Sequence, residues 1–272
     1  MTIIKTEDKG HFYRRDGVPA YESAWKEIRE LGHIPSATTI LNAATTWTLT
    51  QWQKKQVGIA SFNVLSSYGG RNGLNLPSPE DRDTWVDARL AEAELVTKGY
   101  AEFGTNFHDG AQAILDGNEW DRKNPWLVRF DAWVQANVID VKWTEKCLVH
   151  PTNLVAGRAD ALIDHQEHGC ILIDFKTRRL RPLKKGGWTC SSSRYDKDIR
   201  QLAAYSDCLP NKPRVMNVYI HRDKPVEPVP YLWPEEKQEQ GLEAFMALAN
   251  YWCLDKKYDP RTWTPAVEEV VA

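Results

Sequence analysis

The chain has 272 residues and a net charge of −2 at neutral pH. That length allows a large core, and the near-neutral balance excludes a non-specific polycation, so any contact with nucleic acid must come from a local basic patch. The five cysteines, Cys147, Cys170, Cys190, Cys208 and Cys253, are odd in number and form no CxxC or Cys/His cluster at zinc spacing, which reads as reduced thiols in a cytoplasmic protein. The opening MTIIKTEDKG lacks an apolar signal core and no later run is long enough to cross a bilayer, so no membrane association is expected. Twelve tryptophans are many for this length, and some are available as stacking faces rather than core.

In chain order, residues 1–34 read as a small strand region followed by a short helix, Tyr21 to Leu31. PSATTIL occupies Pro35 to Leu41, and a helix is expected from Leu49 to Ser66. Residues 68–79 are a loop by their Gly, Asn and Pro content. Ser78 with Pro79, Glu80 and Asp81 marks a helix start, an N-cap followed by proline and acids. That helix is expected to end at Gly99, and a second to cover Glu102 to Leu115. Asn124-Pro125 opens a third, to about Val138.

The texture then turns to strands. From Val141 to His150 the residues alternate, with Val141, Trp143, Glu145, Cys147 and Val149 on one face. Leu154 to Asp164 and Ile171 to Thr177 read as a hairpin around the turn residues His165 to Gly169. On its second strand Ile171, Ile173 and Phe175 share one face, while Leu172, Asp174 and Lys176 share the other. A carboxylate and an ammonium on an internal strand must be paired. Residues 178–194 form a long polar loop and Tyr195 to Leu209 a helix. Val215–Ile220 and Val229–Trp233 are short strands, and Pro234 to Leu254 is a closing helix. The sum is an α/β protein of one domain, with a mainly helical part over 1–139 and an α/β core over 140–272.

Several polar residues converge on that core. Asp160 closes a GxxD (Gly157 to Asp160) on the first hairpin strand, and Asp174-Phe175-Lys176 lies on the second. Glu145 comes from the preceding strand; Gln201 and Tyr205, four apart, share a helix face. Carboxylates on adjacent strands suit a hard divalent cation such as Mg²⁺ or Mn²⁺, with the Phe175 carbonyl as a further ligand. Lys176 would orient the attacking water or stabilise charge on phosphate. For each residue a plain structural role stands beside this one. Asp174 with Lys176 is also a simple strand-end ion pair, Glu145 a salt-bridged acid, and Gln201 and Tyr205 the polar edge of an amphipathic helix. Asp164 follows Asp160 at strand spacing, and is read as the acid at the hairpin end.

The order Glu145, GxxD, DxK, QxxxY resembles the PD-(D/E)XK nuclease superfamily, in particular its RecB-like exonuclease branch. Gly104 to His108, GTNFH, looks like the branch's Gly-x-x-x-His helix, whose histidine ligates metal. Pro35 to Leu41 is similar to the segment opening the mitochondrial genome maintenance exonuclease and its phage and bacterial relatives. The resemblance spans about residues 34–210. It implies a restriction-endonuclease-like core with a mixed sheet flanked by helices, and a metal held by His108, Asp160, Asp174 and the Phe175 carbonyl. It implies catalytic roles for Lys176, Asp174, Asp160, Glu145, Gln201 and Tyr205. The chain departs in having Ala159 where the family name places proline. It also lacks the cysteines, one before the core and three near the C-terminus, with which some relatives bind an iron–sulfur cluster, so no cluster is expected.

Arg178, Arg179, Arg181, Lys184 and Lys185 crowd the segment after Lys176, with Trp188 close behind. Such a run is either a solvated face or a phosphate-backbone contact, and Trp188 either packs the loop or stacks on a base. The expected function is divalent-metal-dependent hydrolysis of DNA from a free end, with a single-strand annealing or binding protein as a further partner. A catalytically silent nucleic-acid-binding relative and a restriction-type endonuclease are the alternatives. The expected setting is the cytoplasm of a bacterium or a phage-infected host cell.

Overall fold

Short elements open the described chain. The computed structural model describes residues 11–21, 23–44, 54–61, 64, 82–150, 152–153 and 155–264. Phe12–Tyr13 (β1) pairs antiparallel with Ile34–Pro35 (β2), and Trp25–Glu30 (α1) is shorter than the helix expected there. Within PSATTIL, Ser36 caps a six-residue helix, Ala37–Asn42 (α2), by accepting from the Thr39 amide at 3.0 Å. The sequence reading assigned no element there.

Two compact units divide the chain: Met1–Ala44 with Phe107–Ala272, and Thr45–Asn106. In the latter, residues 54–61 and 64 are helical and fall within the helix expected over 49–66. The rest of that span, the loop 68–79 and the helix start at Ser78 lie outside the described residues. The two helices expected on either side of Gly99 are one, Arg82–Leu115 (α3). Glycine in a helix costs about 1 kcal/mol but does not end it. The helix continues with a Lys98–Glu102 ion pair at i,i+4 (3.9 Å) spanning the glycine. Pro125–Asn137 (α4) begins as expected, with Asn124 accepting from the Trp126 amide at 3.0 Å.

The strands form a five-stranded mixed sheet. Val138–Val149 (β3), Ala156–His165 (β4) and Gly169–Arg178 (β5) are an antiparallel meander. Arg181–Pro182 (β6) and Trp188–Thr189 (β7) make a separate two-stranded ribbon. The helix Asp196–Asp207 (α5) then carries the chain back to Arg214–His221 (β8), parallel to β5. Val229–Leu232 (β9) pairs antiparallel with β8, giving the spatial order β3-β4-β5-β8-β9. Glu235–Lys256 (α6) follows and closes on Lys257, in the left-handed region at φ 50°.

Each sheet face is covered. On one, Leu172 and Val215 pack with Ile40 and Leu41 of α2, Leu202 and Tyr205 of α5, and Phe245 and Trp252 of α6. On the other, Ile171, Ile173 and Phe175 pack with Phe107 and Ala111 of α3 and Phe130 and Trp133 of α4. The two faces of β5 are therefore those read from its alternation. β3 is a correction. Its register with β4 shifts between Val141 and Trp143, and such a bulge turns later residues over. Val141 accordingly packs with the α3/α4 side and Trp143 with the α2/α5/α6 side. Among the described residues no helix is long and apolar enough to cross a membrane.

Candidate functional site

The site begins where two strands part. The β4–β5 ladder runs from His165↔Gly169 to Ala161↔Ile173 and goes no further. Asp160 and Asp174 are the next residues on each strand. In place of a backbone bond, the Asp160 carboxylate accepts from the Phe175 amide at 2.6 Å. A charged acceptor makes this one of the stronger hydrogen bonds, and it fixes Asp160 in the gap. On β3, Glu145 lies opposite Asp160, between the Thr144↔Ala161 and Lys146↔Ala159 pairs. Its φ of 45° is in the left-handed region, uncommon for a side-chain-bearing residue and recurrent at functional sites.

His108, seven residues before the end of α3, packs against Phe175 edge to face (centroids 5.6 Å) and places Nδ1 3.5 Å from Asp160 Oδ2. One ligand atom from each of His108, Glu145 and Asp160 lies within 4.8 Å of the other two. Glu145 is also steadied by Arg158, whose Nε is 2.8 Å from Oε2. The sequence-derived ligand set had Asp174 and the Phe175 carbonyl in place of Glu145. Both oxygens of Asp174 are taken: Lys176 Nζ lies 2.8 Å from Oδ1 and 2.7 Å from Oδ2, and Asn217 Nδ2 donates to Oδ2 at 2.7 Å.

From Asp174 a chain of polar contacts leads outward. Lys176 Nζ also donates to Gln201 Oε1 at 3.1 Å, and Gln201 Nε2 donates to the Tyr205 hydroxyl at 3.3 Å. DxK and QxxxY are thus one connected unit across β5 and α5. GxxD joins it by shape. A Cβ on Gly157 would lie 2.7 Å from Tyr205 Cζ, with Cε1 and the hydroxyl closer still, so only glycine lets the ring sit there.

Electrostatics divide the two carboxylates. Burial pushes the Asp174 carboxyl up to about 6, with the nearby Asp160 charge adding to it and Lys176 opposing. Burial acts upward on Asp160 too, but His108, Lys176 and the Phe175 amide outweigh it and hold the carboxyl below its usual range. Burial pushes His108 down, but Asp160 and Asp174 together outweigh it and raise the imidazole above its ordinary range. Burial, then the Asp160 charge, raises Glu145. Lys176 is disfavoured as a cation by burial, yet Asp174, Asp198 and Asp160 together raise it. A histidine and two carboxylates this close form a negatively biased nest of hard donors.

The basic segment after Lys176 is not a loose loop. The β6–β7 ribbon turns through Gly186 and Gly187, both at positive φ, with the Leu183 amide donating to the Gly187 carbonyl at 3.0 Å. Arg178 belongs to β5 and points inward. Its guanidinium grips both Asp198 oxygens at 2.6 Å, donates to the Ser193 carbonyl and stacks over Tyr195. This side chain anchors α5 to β5 and is engaged inside the fold, unlike the rest of the basic run. Arg181, Lys184 and Lys185 are exposed on the ribbon. Arg179 is 78% exposed, beside Asp223 at 3.6 Å. Trp188 is half-buried, its edge on His221 (4.7 Å) and Lys224 over its face. Asp164 pairs with Lys142 at 2.7 Å, at the hairpin end. Of the two histidines expected in the turn, His168 is there, while His165 ends β4, accepts from the Glu167 amide and stacks on His168.

Asn217 was missed. It is fully buried on β8, in register with Asp174, and bonds both Asp174 and Trp233 Nε1, the latter at 2.8 Å. The one available signal was an amide inside the apolar run VMNVYI, where a buried polar group demands partners. Compared with models of known families and with curated proteins, the chain matches none.

Proposed function

We propose that the chain is a divalent-metal-dependent deoxyribonuclease built on a PD-(D/E)XK-type core, hydrolysing phosphodiester bonds from a free DNA end. The observation that carries this reading is the parting of β4 and β5 at Asp160 and Asp174, with Lys176 bonded to Asp174 and with His108 and Glu145 completing a three-donor group at Asp160. Hard oxygen donors with one imidazole suit Mg²⁺ or Mn²⁺. His108, Glu145 and Asp160 would hold the cation, and Asp174 would join by exchanging its contact with Lys176 or Asn217. A bound cation would supply positive charge to the phosphoryl oxygens and acidify the attacking water.

The chain's own residues supply the rest. Lys176, anchored by Asp174 and Gln201, presents its ammonium where a water or phosphoryl oxygen would lie. Gln201, backed by Tyr205, limits the positions that ammonium can take. Asn217 fixes Asp174 from behind. Arg179, Arg181, Lys184 and Lys185 offer a basic edge for the phosphate backbone, with Trp188 beside it. The preference for DNA, and for a free end, rests on the family resemblance, as do the cytoplasmic setting and a single-strand-binding partner.

The test is Lys176→Ala. Turnover of linear DNA is expected to fall at least about 10²-fold, the scale of losing a preorganised charge stabiliser, while DNA affinity stays within a few-fold. Near-normal turnover would remove the mechanism.

A further inference from the structure

We infer that Lys197 is a phosphate-anchoring residue of this site, holding a non-bridging oxygen of a substrate phosphate adjacent to the one attacked. This rests on the nuclease reading above and adds a substrate contact to it. Lys197 lies one turn before Gln201 on α5, so the two share a helix face, and Gln201 is the side chain bonded to Lys176. The Lys197 ammonium donates to Oδ1 of Asn42, the last residue of α2, at 2.7 Å. That partner is a neutral amide.

Charge balance singles out this lysine. Lys176 is paired with Asp174 at 2.7 Å and Arg178 with Asp198 at 2.6 Å. Among the described residues Lys197 has no carboxylate in an ion pair, although it is half-buried. Burial, then the neighbouring charge of Lys176, works against its ammonium and outweighs the favourable charge of Asp198, itself held by Arg178, so its pKa is pushed down. A desolvated cation with only a neutral partner is costly to hold. An arriving phosphate oxygen would offset that cost, and a charge-assisted hydrogen bond to phosphate is among the stronger ones available. Asn42 contributes aim: it fixes the ammonium without neutralising it. An inert tether between α2 and α5 would need no charge at this position.

The experiment measures binding of a short single-stranded oligonucleotide to the full chain by fluorescence anisotropy, in EDTA so that nothing is cut, across a salt series. Lys197→Gln, which keeps an amide for Asn42, is expected to weaken binding about tenfold or more at low salt. It should flatten the slope of log K against log salt by about 0.7, the value for one phosphate neutralised on a single strand. Lys197→Arg should keep the slope. In cleavage, Lys197→Gln should raise KM more than it lowers kcat. Wild-type affinity and slope in Lys197→Gln would overturn the inference, and so would a change confined to the unfolding midpoint. If the wild type cuts DNA while Lys197→Gln is indistinguishable from it, this inference alone fails. If the wild type neither binds nor cuts DNA, the nuclease reading fails and takes Lys197 with it.

Discussion

Gly157→Ala should damage the protein through a single methyl group. The new Cβ would stand 2.7 Å from Tyr205 Cζ and nearer to Cε1, well inside van der Waals contact. Tyr205 is buried, with its hydroxyl bonded to Gln201, so its ring has little room to retreat. Overpacking of this kind costs about 1–3 kcal/mol. The φ of Gly157 is not in the left-handed region, so alanine there should also recover about 0.4–1 kcal/mol by restricting the unfolded chain. The net expectation is a loss of about 1–2 kcal/mol in urea unfolding. Tyr205→Phe should not relieve it, because Cε1 and Cζ remain. Tyr205→Leu should, and the double-mutant cycle should show a coupling of about 1 kcal/mol or more. Activity should fall further than stability, since a displaced Tyr205 releases Gln201 and through it Lys176. An equal cost of Gly157→Ala in both backgrounds would refute the steric link between GxxD and QxxxY.

The buried Asp174 predicts a pH signature. Its carboxyl is raised from 3.8 to about 6, so the folded state holds the proton more tightly than the unfolded chain. The stability this contributes is full below pH 3.8 and lost as pH rises through about 6. In EDTA, Asp174→Asn should carry a cost at every pH from leaving Lys176 without its carboxylate. Across that window the balance should shift in the variant's favour as pH rises; a pH-independent difference would contradict the burial argument. Arg178→Ala, which strips a buried partner from Asp198, should cost about 3–5 kcal/mol of stability. Replacing Arg181, Lys184 and Lys185 together should leave unfolding unchanged and flatten the salt dependence of DNA binding. A wild-type slope in that variant would make the ribbon an ordinary solvated face.

How far the sequence carried this reading varied by residue. β5 was legible because its alternation is undisturbed: Ile171, Ile173 and Phe175 against Leu172, Asp174 and Lys176 fall on the faces where they pack. β3 was not, because a bulge leaves no mark in residue type, and one extra residue after Val141 inverts the pattern. Gly99 misled because glycine permits a helix stop without imposing one. Arg178 looked like part of a basic run, and only the fold shows that the strand ends one residue later and that Asp198 waits for it across twenty positions. Asp160, Asp174, Lys176, Gln201 and Tyr205 were found together because motif order survives in sequence. Their division into a cluster around Asp160 and a bonded chain from Asp174 is a matter of strand splay, which spacing does not encode. Lys197 and Asn217 carry no motif; each is visible only through its partners.

The most direct test of the central claim is a cleavage assay of the wild-type chain. It sets linear and covalently closed circular DNA, single- and double-stranded, each against Mg²⁺, Mn²⁺ and EDTA. The account predicts that linear DNA is degraded with either cation, that EDTA abolishes the reaction, and that closed circles survive. Degradation in EDTA, or no cleavage of any DNA with either cation, would contradict it.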